Sequence, residues 1–165
     1  MSNENKGLQV VKIRLVKEEI LYDKDYVNSK TDAIAVMKKE LSEYDREVFC
    51  ILNLKTSGEV INMNIVSQGT LNSTVVSPRE VFKSSILSNA AGIIALHNHP
   101  SGNPTPSRED YETTKRLKEC GDLLDIPLID HVIVAAGGEK SYSFKEHDEL
   151  DIGEKKKKKP REMER

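Results

Sequence analysis

At 165 residues the chain has the length of one ordinary domain, enough to bury a core without disulfide staples. Its 25 basic and 27 acidic residues nearly cancel, and the net charge of -2 argues against a strongly basic nucleic-acid binder or a membrane-surface protein. The balance hides an asymmetry: residues 153–165 carry seven Lys or Arg and three Glu, net +4, which leaves -6 for residues 1–152.

The opening "MSNENKGLQVVK" lacks the charged start and long apolar stretch of a leader peptide, and no run of about 18 apolar residues occurs, so a cytoplasmic protein without membrane contact is expected. "LQVVKIRLVKEEI" is rich in β-branched residues and predicts an edge strand over residues 8–16, within an N-terminal segment 1–27 of strand and loop. Ser29 with Asp32 three places on, followed by Ile34, Met37 and Leu41 at helical spacing, predicts an amphipathic helix over 30–43. "EVFCILNL" and "EVINMNIVSQG" read as two strands of a hairpin turning on Gly58 of "KTSG", with Glu47 at its mouth. "SPREVFKSSILSNAAG" opens as a helix, with Ser77 as N-cap, Pro78 at the first helical position and Glu80 three residues after the cap, and Gly92 ends the segment.

"IIAL" then makes a short apolar strand that delivers His97. After a proline-rich loop, Ser107 and Asp110 repeat the capping pattern and open a helix to about Leu124, with Pro127 as its far limit. "LIDHVIVAA" reads as a buried strand, "GG" as a turn and "SYSF" as a last short strand, which makes the chain α/β with one mixed sheet and no internal repeat. "GEKKKKKPREMER" is expected to be a disordered basic tail over 153–165, whose five consecutive lysines offer weak, salt-sensitive contact to nucleic acid. Cys50 and Cys120, each in an apolar-patterned segment, read as core thiols and not as a disulfide.

Chemistry concentrates in "LHNHPSGNPTPSRED". Side chains alternate along an extended chain, so His97 and His99 point to one side and Asn98 to the other, and two imidazoles can share one ion. Pro100, Pro104 and Pro106 forbid a helix through the loop, and Gly102 allows the bend that brings the next helix back. Asp110, in the first turn of that helix, can supply a third ligand, and two nitrogens with one carboxylate oxygen leave a tetrahedral position open, as in catalytic zinc sites. Blander alternatives stand beside this. The histidines can be satisfied by polar neighbours, and Ser107 with Asp110 is also an ordinary helix start. Asp130 and His131 read as a core histidine with a satisfied partner, or as groups that orient a ligand from behind. His147 has no spacing partner and is assigned no role.

The spacing His97-x-His99, seven residues, Ser107, two residues, Asp110 resembles the motif of the JAMM, or MPN-plus, metallopeptidases. Together "REVF", "GTLN", "SPREVFK", "NAAGIIALHNHPSGNPTPSRED" and "IDHVIV" resemble the RadC-like branch of that family, over residues 45–147. The resemblance implies a three-layer α/β/α fold around a mixed sheet, similar to cytidine deaminases, for a domain over 28–152. It implies one zinc ion per chain held by His97, His99 and Asp110, with Glu47 as general base and Ser107 as donor to the oxyanion of a peptide or isopeptide bond under attack. Without the resemblance Glu47 reads as a solvated charge at a strand edge, and Glu43 competes with it.

Two features depart from the pattern. RadC relatives carry an N-terminal helix-hairpin-helix region, which this short chain is expected to lack, and that bears on any DNA-repair role. Asp148 stands where relatives have glycine near the end. The rival readings are a DNA-repair-associated accessory protein, binding nucleic acid or a protein partner with a structural or vestigial metal site, and metal-assisted phosphodiester hydrolysis.

Overall fold

The structure, a computed structural model, describes residues 14–16, 30–69 and 76–151. Along them run α1 (Lys30–Ser42), β1 (Val48–Leu54), β2 (Val60–Gln68), α2 (Pro78–Leu87), β3 (Gly92–His99), α3 (Arg108–Leu123), β4 (Leu128–Ala135) and β5 (Ser141–Ser143). The strands form one sheet in the order β2-β1-β3-β4-β5. β1 is antiparallel to β2 and to β3, β3 is parallel to β4, and β4 is antiparallel to β5, so the sheet is mixed. Its parallel step is the one spanned by a helix, α3, because parallel neighbours need a crossover.

Both faces of the sheet are covered, which explains why β1 and β3 read as nearly continuous apolar runs instead of alternating. On one face Val48, Cys50 and Leu52 of β1, Ile94 and Leu96 of β3, and Val132 and Val134 of β4 cluster with Ala33, Met37 and Leu41 of α1. Those three helix positions are spaced four apart and make one buried stripe. On the other face Phe49, Ile51, Ile93 and Ala95 cluster with Val81 and Phe82 of α2 and Leu117 of α3. Each such fully buried side chain is worth about 1.5–3 kcal/mol of transfer free energy. The result is the three-layer α/β/α arrangement that the resemblance implies.

Some local expectations are corrected. Ser77 is the N-cap of α2 and Pro78 its first residue, but the Ser77 side chain makes no capping bond. Glu80, the expected partner of the cap, is drawn instead to Lys83 at 2.6 Å and Arg79 at 3.4 Å. Gly92 does not end that segment: α2 stops at Leu87, Asn89 takes the left-handed turn with φ 51°, and Gly92 begins β3. Asparagine tolerates that conformation through its short polar side chain, so no glycine is required. At Gly121 glycine is required, since a Cβ there would lie 2.6 Å from the Ile126 carbonyl oxygen where α3 packs on the chain leading to β4. Of the strand expected over 8–16, only residues 14–16 are described, and they are exposed and in neither helix nor strand. Ser29, the "GTLN" segment from Thr70 on, and the basic tail lie outside the described residues.

Candidate metal centre

Strand alternation places the first two groups. Along β3, Ile93 and Ala95 face α2 and α3, so His97 and His99 emerge on that face and Asn98 on the α1 face. The antiparallel register pairs Phe49 with His97; Glu47, two residues earlier, therefore falls opposite His99 at the end of the sheet. The Gly69 amide donates to the Glu47 carbonyl at 2.8 Å and ties this point to the end of β2. Asn98, 1% exposed, clamps the same point from below. Its Oδ1 accepts from the Val48 amide at 2.7 Å and its Nδ2 donates to the Arg46 carbonyl at 2.9 Å.

The loop delivers the third group. Gly102, with φ 78°, sends its amide back to the His99 carbonyl at 3.1 Å. Ser107 then caps α3 in a complete capping box: its hydroxyl accepts from the Asp110 amide, and the Asp110 carboxylate accepts from the Ser107 amide at 2.6 Å. The Ser107 hydroxyl also donates to the same carboxylate oxygen, Oδ2, at 2.7 Å. Oδ2 is thus held by Ser107, while Oδ1 faces His97 Nε2 at 3.0 Å.

His97 Nε2 and His99 Nε2 lie 3.1 Å apart, and His99 Nε2 is 3.4 Å from Asp110 Oδ2. Donor atoms about 2.0–2.1 Å from a tetrahedral ion sit about 3.3–3.4 Å from one another. The two nitrogens, and each nitrogen with its nearer Asp110 oxygen, lie at or slightly inside that spacing, and all three residues offer ligand atoms within 4.8 Å of one another. The other nitrogen of each ring is occupied. His99 Nδ1 is 2.8 Å from the Asn103 carbonyl, which can only accept, so the proton sits on Nδ1 and the lone pair on Nε2. His97 Nδ1 lies 2.8 Å from His131 Nε2.

The electrostatics express a demand for positive charge. Burial works to lower the pKa of His99, but the hydrogen bonds to Asp110 and the Asn103 carbonyl, with the charges of Asp110 and Glu47, raise it above the ordinary imidazole value. Burial works to raise the pKa of Asp110, and the hydrogen bonds with His97 and His99 outweigh it and hold the carboxyl well below its usual range. His131 goes the other way: burial first, then the nearby His97, keep it uncharged. His97 is fully buried, stacked on Phe49, whereas His99 is half-buried and Ser107 exposed. The cluster is closed behind His97 and open on the side of His99 and Ser107.

The structure brings His97, His99, Asp110 and Ser107 together, with Glu47 electrostatically coupled to His99 from the neighbouring strand. Glu43 is exposed in the turn after α1. The Asp130–His131 pair divides. His131 contacts His97, whereas Asp130 holds the β5 connection by accepting from Ser143 Oγ at 2.7 Å and the Lys145 amide at 3.1 Å. His147 binds the Ser143 carbonyl and stacks on Tyr142. Both cysteines are free, and burial pushes the Cys50 thiol up to about 12. Sequence reasoning missed Thr114, whose hydroxyl lies 2.6 Å from His131 Nδ1. Its one signal is a threonine four residues after Asp110 on the same helix face.

A family model for the RadC-like JAB domain matches residues 27–150. The chain belongs to that family. UPF0758 proteins are similar to it: one of Staphylococcus haemolyticus is 40% identical over 157 residues, 89% of this chain and 68% of the relative. One of Clostridium beijerinckii is 45% identical over 120 residues, 73% of this chain and 52% of the relative. One of Bacillus cereus is 45% identical over 134 residues, 81% of this chain and 58% of the relative. The chain thus spans between about half and two thirds of the length of these relatives. For a RadC-like JAB domain, a group of two histidines and an aspartate able to hold a metal ion is compatible with hydrolysis. No helix among the described residues is long and apolar enough to cross a membrane.

Proposed function

We propose that this RadC-like JAB domain is a zinc-dependent hydrolase of the JAMM type that cleaves a peptide or isopeptide bond in the cytoplasm. One observation carries the reading: two lone pairs and a charge converge, with His97 Nε2 and His99 Nε2 3.1 Å apart, His97 Nε2 3.0 Å from Asp110 Oδ1 and His99 Nε2 3.4 Å from Asp110 Oδ2. Such a set repels itself unless a cation or a proton enters it. Two imidazole nitrogens with one carboxylate oxygen suit zinc, and would leave it a coordination position for water.

When bound, zinc would lower the pKa of water to about 7 and polarise a carbonyl. The chain's own residues do the rest. Glu47, at the start of β1 and facing His99, takes the proton from water and passes it to the leaving amine. The Ser107 hydroxyl turns its proton from Asp110 Oδ2 to the oxyanion, a short rotation for an exposed side chain at a helix start. The hydrogen bond that the Ser107 backbone amide donates to Asp110 Oδ2 keeps the carboxylate in place meanwhile.

The test is Glu47→Gln, which keeps shape and removes the base. Turnover of a peptide library by the zinc-loaded protein is expected to fall by about 10²–10⁴-fold, with zinc still bound at one per chain. Undiminished turnover in that variant would remove Glu47 from the role, and a wild-type chain without stoichiometric zinc would remove the metal.

A further inference from the structure

Behind His97, away from the ligand atoms, an unbroken line of hydrogen bonds ends on the backbone of another ligand. His97 Nδ1 is 2.8 Å from His131 Nε2, His131 Nδ1 is 2.6 Å from Thr114 Oγ1, and Thr114 Oγ1 is 2.6 Å from the Asp110 carbonyl oxygen. His97, His131 and Thr114 are each 0% exposed, so solvent replaces none of these partners. The rings are also fixed sideways, with His131 stacked on Phe144 at 5.1 Å and set edge-on to Phe49 at 5.6 Å.

The direction of the line follows from its far end. Two oxygens 2.6 Å apart are held by a proton between them, and a carbonyl has none to give. Thr114 therefore donates to Asp110, one helical turn back, and its oxygen is left to accept from His131 Nδ1–H. A neutral imidazole with its proton on Nδ1 presents a lone pair at Nε2, which accepts from His97 Nδ1–H. That leaves the His97 lone pair on Nε2, the atom that faces His99 and Asp110. Run in reverse, the line would set two lone-pair-bearing oxygens against each other at 2.6 Å and put a proton on the ligand atom itself.

We propose that Thr114 and His131 are positioning residues that fix His97 in the tautomer whose Nε2 can bind metal. The inference rests on the metal-centre reading. It adds that α3 supplies both the Asp110 carboxylate and, through Thr114, the anchor that orients a ligand on β3. Placement of the ion is thereby coupled to the first turns of one helix.

The test uses the full chain labelled with 15N-histidine. In the zinc-loaded protein a coupling across the hydrogen bond between His97 Nδ1 and His131 Nε2 is expected, with the proton on His97 Nδ1. Thr114→Ser keeps the hydroxyl and is expected to keep both the coupling and the zinc affinity. Thr114→Val keeps the shape and removes the hydroxyl; zinc affinity, read by competition with a chromophoric chelator, is expected to fall by about 10- to 100-fold. A packing role predicts the opposite order, since valine fills the site better than serine. Unchanged affinity in Thr114→Val overturns the proposal while stoichiometric zinc leaves the metal centre standing. A wild-type chain that takes up no zinc overturns the metal centre instead, and the position of the His97 proton is then read in the metal-free chain, where Nδ1–H supports the line and Nε2–H removes it.

Discussion

On the α2 and α3 face of the sheet, two groups of buried polar side chains sit at different places, one bridging β1, β2 and α2, the other at the end of β3. In the first, Asn53 Nδ2 donates to Asn62 Oδ1 at 2.7 Å and to Ser84 Oγ at 3.2 Å, and Asn62 Nδ2 donates to Ser88 Oγ at 2.9 Å. Amides and hydroxyls carry both donors and acceptors, so most of the group pairs within itself, and Asn53 Oδ1 is the one buried side-chain N or O atom without a hydrogen-bond partner among the described residues. In the second, the line from His97 through His131 and Thr114 directs every proton away from the cluster, and His99 directs its own to the Asn103 carbonyl. What converges is all acceptor. Burial of polar groups is common to both places; the first leaves one neutral amide oxygen unpaired, and only the second gathers two imidazole lone pairs and a carboxylate charge at one point.

The contrast breaks most visibly under truncation of one member of each group. His97→Ala is expected to abolish stoichiometric zinc binding altogether, because the remaining two ligands no longer define a site. Asn53→Ala is expected to leave zinc at one per chain and to lower unfolding free energy by about 1–3 kcal/mol, the cost of leaving its partners unpaired. Metal analysis and urea denaturation of both variants decide it. Zinc lost on Asn53→Ala, or kept on His97→Ala, would erase the distinction.

Asn98 sharpens the comparison, being a buried amide like Asn53 but satisfied by backbone: it grips Val48 N–H and Arg46 C=O on either side of Glu47. It touches none of the ligand atoms. Asn98→Ala is therefore expected to leave zinc affinity nearly unchanged and to lower kcat by about 10²-fold, the size of effect that a displacement near 1 Å produces. A parallel fall in zinc affinity would show that Asn98 supports the histidines instead of the base.

Acidity separates the two groups again, because only the metal end titrates. In the metal-free chain the raised pKa of His99 means that its proton stabilises the fold fully below the ordinary value of 6.5, and that this contribution fades as pH rises through the folded value. Asp110 is depressed, so its contribution is present above the ordinary 3.8 and is lost only as pH falls far below it. Metal-free stability should accordingly peak in the weakly acidic range between those values. Zinc must displace the His99 proton, so its apparent affinity should rise with pH by about tenfold per unit until the raised pKa is passed. Chelator competition across that range checks the slope. A flat profile would mean that no proton leaves the site when metal enters.

Much of this was legible in the sequence because it depends on local period and spacing. The alternation of "IIALHNH" fixed the shared face of His97 and His99, and the prolines with Gly102 fixed the return of the chain to Asp110. The apolar runs of β1 and β3 marked strands covered on both sides. What stayed hidden needed the third dimension. Glu47 meets His99 only through the register of β1 on β3, and the resemblance, not its own surroundings in sequence, singled it out. Thr114 and His131 are 17 residues apart on different elements, and no period links them. The sequence could mark His131 as a buried histidine with a partner, but it pointed to Asp130 where the partners are Thr114 and His97.

The smallest expected effect concerns two helix starts with the same signature, Ser77-x-x-Glu80 and Ser107-x-x-Asp110. At α3 the serine and the acid bond each other's backbone amides in both directions; at α2 the serine side chain makes no capping bond, and the acid turns to Lys83 and Arg79. The acid decides the difference. Glu80 is long enough to reach the cations beside it, whereas Asp110 is short, buried among histidines and held over its own helix end. Ser107→Ala is expected to cost about 1–2 kcal/mol of stability and to loosen the Asp110 carboxylate, and Ser77→Ala less than about 0.5 kcal/mol. Paired urea denaturation of the metal-free variants measures both. Equal losses would mean that the capping box at α3 contributes nothing beyond an ordinary helix start, and that Asp110 is held by the histidines alone.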